Sequence, residues 1–147
     1  MNEETKYTIT VTENQVRVIN QALDLLARVG IGQISDFVST LPLKRNVSEY
    51  DLIEDIRNIL RGNMKHDIDG WHSHLGITHQ DAPMFAKQAW DMQQTFRHRL
   101  SWDRAVKDGI VKSLDSPREF SKMMTVDYDD PFYISDDQPA TIQKMDD

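Results

Sequence analysis

The sequence contains no cysteine. Disulfide staples and thiolate metal sites are excluded, so packing alone has to hold the fold together. No apolar run approaches the ~20 residues that a bilayer span needs. The first residues, Met1–Val11, hold two glutamates and no basic stretch ahead of an apolar one, so no secretory signal is expected there. A cytoplasmic protein is the expectation. Positive charge is also scarce, with 17 Lys and Arg against 24 Asp and Glu and a formal net charge of −7. Non-specific nucleic-acid binding, which rests on neutralising phosphates, is not expected of such a chain. Three chemical signatures are missing as well. The two glycines of "VGIGQI" have neither the spacing nor the lysine of a phosphate loop. There is no Gly-x-Ser-x-Gly elbow and no His-Glu-x-x-His pair.

What is present suits one domain. The 147 residues are 39% hydrophobic and 28% charged, ordinary values for a globular chain that buries roughly 70% of its unfolded surface. The acidity is local. Asp127 to Asp147 holds seven aspartates and one lysine, a balance of −6 that leaves −1 for residues 1–126. A globular domain over 1–135 with an acidic C-terminal tail over 136–147 is expected.

"KYTITVT" alternates and is rich in β-branched residues, so Lys6–Thr12 reads as a strand with Tyr7, Ile9 and Val11 on one face. Thr12 and Gln15 form a capping box for the helix that follows. Val16, Ile19, Leu23 and Leu26 make its inner stripe, and Val18, Ala22, Leu25 and Val29 widen it enough for two neighbours. Gly30 is the expected left-handed cap. A short helix over about 33–41 ends at Pro42. Ser48 opens another, which Gly62 and Asn63 close. Met64 to Pro83 shows no sustained period and reads as a loop. Asp81 and Pro83 start a long helix over about 82–105, with Phe85, Ala89, Met92, Phe96 and Leu100 inward and Lys87, Asp91 and His98 outward. "KMMTVDYDD" and "FYIS" read as a C-terminal hairpin that pairs with Lys6–Thr12. The expected fold is α+β, mainly α: three long helices, a short one and a small antiparallel sheet.

Two stretches carry candidate chemistry. Four of the five histidines, His66, His72, His74 and His79, fall within the long loop. His72 and His74 have the spacing of two metal ligands on an extended segment, but no second cluster completes the set. Solvated loop histidines are the simpler reading, and no metal or cofactor is expected. The helix "AWDMQQTFRHRLSWDR" is more specific. Trp90, Gln94 and Arg97 share a face, with Arg104 continuing it, and His98 and Trp102 lie one turn apart on the next. Arginine holds phosphates in a bidentate grip, and indole or imidazole stacks on bases. Arg99 is rotated about 200° from Arg97, at about 100° per residue, and does not share its face. The alternative is that Trp90 and Trp102 anchor the core while Arg97 pairs with Asp91, Asp103 or a tail aspartate.

Three motifs in a fixed order resemble a widespread family of small bacteriophage and prophage proteins. They are the corner "RVGIGQI" (Arg28, Gly32, Gln33), the helix with Trp90, Asp91, Arg97, His98 and Trp102, and the ending "VDYDDPFYIS" (Tyr128, Asp129, Pro131). Ile34 stands where the pattern has an aromatic residue. The resemblance implies a phage accessory protein of the bacterial cytoplasm. By analogy it implies a homo-oligomeric, non-catalytic sponge that sequesters an anionic nucleotide immune signal of the host. In that reading Arg97, Arg99 and Arg104 contact phosphates, His98 or Trp102 stacks, and Trp90, Gln94, Arg28 and Gln33 complete the pocket. Two rivals remain: an inhibitor that docks its acidic surface on a host protein, and a metal-dependent nucleotide hydrolase.

Overall fold

The computed structural model describes residues 4–64, 74–109 and 131–145. Its four helices are α1 (Glu13–Gly30), α2 (Ser35–Ser39), α3 (Glu49–Leu60) and α4 (Met84–Lys107). None of the described helices is long and apolar enough to cross a membrane.

Local chemistry sets the helix boundaries. The Thr12 hydroxyl accepts from the Gln15 N–H at 3.3 Å, and the Gln15 side chain accepts from the Thr12 N–H at 2.8 Å. This is the capping box read from the sequence, and it satisfies two donors at the start of α1. Ser48 caps α3 by accepting from the Asp51 N–H at 3.2 Å. Pro83, not Asp81, is the N-cap of α4, and it offers no side-chain acceptor.

The end of α1 departs from expectation. Gly30 is the last helical residue, and Gly32 takes the left-handed turn with φ 84°. The Gly32 N–H donates to the Val29 carbonyl at 3.0 Å and the Gln33 N–H to the Arg28 carbonyl at 2.9 Å. These are the two bonds of a Schellman cap. Only glycine adopts that φ without strain, so Gly32→Ala should lose about 1 kcal/mol in urea unfolding. An unchanged midpoint would show that the corner relaxes.

Gly30 has a different task. A Cβ built there would stand 2.6 Å from the Ala86 Cβ and 2.9 Å from Phe85 Cε2. The end of α1 therefore crosses the start of α4 at backbone distance. α1 and α4 are the main helix pair. α2 bridges α1 to α3, and Val38 of α2 is fully buried. The inner face of α4 is correspondingly small at this end. Ala86 and Ala89 are buried, while Phe85 and Met92 lie on the rim and are partly exposed. The expected Phe85–Met92 stripe is thus displaced, because large side chains would hold the helices apart at Gly30. Ile31, Ala82 and Ala86 form a small cluster with Leu75 and Ile77 against it, and the Leu75 N–H donates to the Ile31 carbonyl at 2.9 Å.

The expected antiparallel sheet is not found among the described residues, which contain no strand. Residues 4–12 precede α1 as an exposed arm, with Tyr7 88% and Ile9 68% accessible. Residues 131–145 are irregular, and the first half of the expected hairpin, through Asp130, lies outside the described residues. The physical reason lies in the backbone donors. The N–H groups of Ile134 and Ser135, which a ladder would need, go to the side chain of Asp91 instead.

Candidate functional site

The sequence places Asp91 on the outside of its helix, but the structure buries it. Its Oδ1 accepts from the Ile134 N–H at 2.8 Å and its Oδ2 from the Ser135 N–H at 2.9 Å. The Ser135 hydroxyl donates to Oδ2 as well. Two further contacts lie on either side along α4. The Thr95 and Tyr133 hydroxyls are 3.0 Å apart, and Gln88 Nε2 donates to Asp137 Oδ2 at 2.8 Å. The C-terminal segment therefore runs antiparallel to α4, clasped at three successive turns. Asp91 explains why an acidic residue sits within an otherwise core-like stretch: a buried carboxylate is stable where several N–H and O–H donors converge on it.

A second face of α4 carries the predicted stripe. Trp90, Gln94, Arg97 and Ser101 follow one another at steps of four, three and four residues, which keeps them within one side of the helix. Gln94 and Ser101 are buried, and Trp90 and Arg97 are half-buried. Arg97 donates from Nε to Gln94 Oε1 at 3.0 Å, and Gln94 Nε2 donates to Gln93 Oε1 at 3.1 Å. Arg97 thus leans on Gln94, one turn before it on the same helix. The indole N–H of Trp90 is buried and has no acceptor among the described residues. Burying a helix face this polar is costly, and an unpaired donor adds about 1–3 kcal/mol to that cost.

The other predicted residues divide. Arg104 continues the stripe but is exposed, without an ion pair among the described residues. Arg99 pairs with Asp103 at 3.0 Å across one turn, off the stripe. Trp102 is only 6% exposed, and its indole N–H donates to His98 Nε2 at 3.0 Å. His98 Nε2 is therefore the acceptor, which puts its proton on Nδ1. The two rings meet edge to face at 6.2 Å between centroids. Trp102 packs against Ala105 and Val106, so its faces are not open for stacking in this conformation.

The Gly-Gln corner is closed on itself. Arg28 holds Asp24 at 2.9 Å and Asp36 at 3.4 Å, and Gln33 Nε2 donates to Asp36 Oδ2 at 2.8 Å. Burial opposes the Arg28 charge. The Asp24 hydrogen bond and the Asp24 and Asp36 charges outweigh that and raise its pKa above the ordinary arginine value. With two carboxylates of its own, Arg28 is a poor anchor for an incoming anion. Among the described residues, no hydrogen bond or ion pair joins Arg28 or Gln33 to the Trp90–Arg97 stripe.

For the histidine loop, His66 and His72 lie outside the described residues. His74 donates from Nδ1 to the Leu75 carbonyl at 2.7 Å, and the Asp81 N–H donates to His79 Nδ1 at 3.1 Å. The described residues contain no cluster of three or more metal-ligating side chains. Comparison of the chain with family models, with curated proteins and with solved structures finds no match.

Proposed function

We propose that this protein is a non-catalytic binding protein that captures a small anionic nucleotide along the Trp90–Gln94–Arg97–Ser101 face of α4. The observation that carries this reading is the Trp90 indole N–H, a buried donor without an acceptor among the described residues, on the same side of the helix as the Arg97 guanidinium. A phosphate oxygen or base carbonyl placed there gains an N–H donor already removed from water, beside a cation that recognises phosphate. Gln94 Oε1 accepts from Arg97 Nε at 3.0 Å and orients the guanidinium. The exposed Arg104 steers the anion toward the face. The His98–Trp102 pair buttresses the helix rather than touching ligand. The order of the three sequence motifs supports a phage accessory protein in the bacterial cytoplasm, where such a nucleotide would be a host immune signal.

Isothermal titration against cyclic di- and trinucleotides and ADP-ribose derivatives tests it. At least one should bind with micromolar affinity or better. Trp90→Phe, which keeps the ring and removes the donor, should weaken that binding about tenfold. Silence across the panel from folded protein overturns the reading.

A further inference from the structure

α1 has a face that no described element covers. Between Gln15 and Gly30, one side of the helix carries Gln15, Val18, Ile19, Ala22, Leu25, Leu26 and Val29, and not one charged residue across four turns. Val18 is 65% exposed, Leu26 45% and Val29 44%. The face continues onto α4, because Phe85 borders Gly30. Phe85 is 49% exposed, and Met92, two turns along, is 39% exposed. The width of the α1 stripe already calls for two neighbours. α4 is one of them.

We infer that the second is α1 of another copy of this chain, packed antiparallel about a two-fold axis through Ala22. Three observations select that occupant. The first is area. Val18, Leu26, Val29, Phe85 and Met92 leave on the order of 500 Å² uncovered, so two copies meeting there cover about 1,000 Å², the least that a specific interface needs. The second is charge. The α1 stripe holds no charged residue between Gln15 and Gly30, so two copies meet on this face without setting like charges against each other. The neighbouring charges are already paired within the chain: Glu13 with Arg17, and Asp24 with Arg28. They do not ask for a charged partner. The third is self-complementarity. With Ala22 on the axis, Val18 of one copy lies opposite Leu26 of the other, and Ile19 opposite Leu25, in both directions. A two-fold interface requires that reciprocity. Ala22, the smallest side chain of the stripe, sits where the helices come closest. The exposed arm with Tyr7, Ile9 and Val11 leads directly into this face, which gives its apolar residues a surface on the second copy.

Sedimentation equilibrium of the full chain at about 100 µM tests the inference. The expected mass is twice the 17.1 kDa of one chain. Ala22 is exposed in the single chain, so Ala22→Glu should keep the far-UV circular dichroism while reducing the mass to that of one chain. The absence of cysteine allows a second measurement. Ala22→Cys should be cross-linked to a covalent dimer by a short bismaleimide, and Gln21→Cys, on the charged flank, should not. A wild-type monomer overturns the inference. So does a dimer that survives Ala22→Glu, a larger assembly that Ala22→Glu dissolves, or equal cross-linking at the two positions.

Discussion

Asp91→Ala is expected to lower the unfolding free energy by about 3 kcal/mol, since it leaves two backbone donors and a hydroxyl without their charged acceptor. The carboxylate takes the Ile134 and Ser135 N–H groups at 2.8 and 2.9 Å together with the Ser135 hydroxyl. Hydrogen bonds to a charged group contribute about 1.5–3 kcal/mol each, but the donor side is only partly buried, so water recovers some of the loss. Against a total stability of roughly 5–15 kcal/mol, such a change is plain in a urea titration. Asp91→Asn keeps a carbonyl acceptor and turns an amide N–H₂ toward the remaining donors, so it should lose about half as much. Trypsin adds a local readout. Lys144 lies beyond the clasp, and its cleavage should accelerate in Asp91→Ala before the helices unfold. A loss below ~0.5 kcal/mol would mean that the segment contributes nothing to stability.

Gly30→Ala should destabilise the protein even though alanine is the better helix former by about 1 kcal/mol. The added Cβ stands 2.6 Å from the Ala86 Cβ and 2.9 Å from Phe85 Cε2. The phenyl ring can turn away, but Ala86 Cβ is fixed to its helix. α1 and α4 must separate, and overpacking of this kind costs about 1–3 kcal/mol. We expect a net loss near 2 kcal/mol for Gly30→Ala and about twice that for Gly30→Val, whose branched side chain is stiff. The double variant Gly30→Ala/Ala86→Gly identifies the cause. Moving the methyl group from one helix to the other should restore at least ~1 kcal/mol of what the two single changes lose together. Strict additivity would place the strain elsewhere.

The helices were legible in the sequence because their signals are local. A hydroxyl at Thr12 or Ser48, with an apolar period beginning behind it, needs no knowledge of the rest of the chain. The same locality produced the errors. "KYTITVT" alternates like a strand, but a strand exists only if another backbone offers it bonds, and the Ile134–Ser135 donors had gone to a side chain far away in sequence. Asp91 looked solvated because an acidic residue between Trp90 and Met92 has no local partner to give it away. The faint signal was its burial context: one carboxylate at the edge of an apolar stripe, followed a long way downstream by a hydroxyl-bearing "YIS" segment. Gly30 and Gly32 exchanged roles for a similar reason. Either spacing ends a helix, and only the crossing of α4 shows which glycine must lack a side chain. On α4, the periodicity placed Trp90, Gln94 and Arg97 together, and the structure keeps them so. It could not show that Arg28 and Gln33 would be occupied by Asp24 and Asp36, because Asp24 and Asp36 carry no mark of their own in the sequence.

The clasp also orders events during synthesis. Ile134 and Ser135 leave the ribosome after the whole of α4, so for a time Asp91 has only water for a partner. When that segment arrives, its two N–H groups and one hydroxyl take the place of solvent around the carboxylate. A chain broken off before Ile134 therefore lacks the two N–H groups and the hydroxyl that surround Asp91 in the full chain.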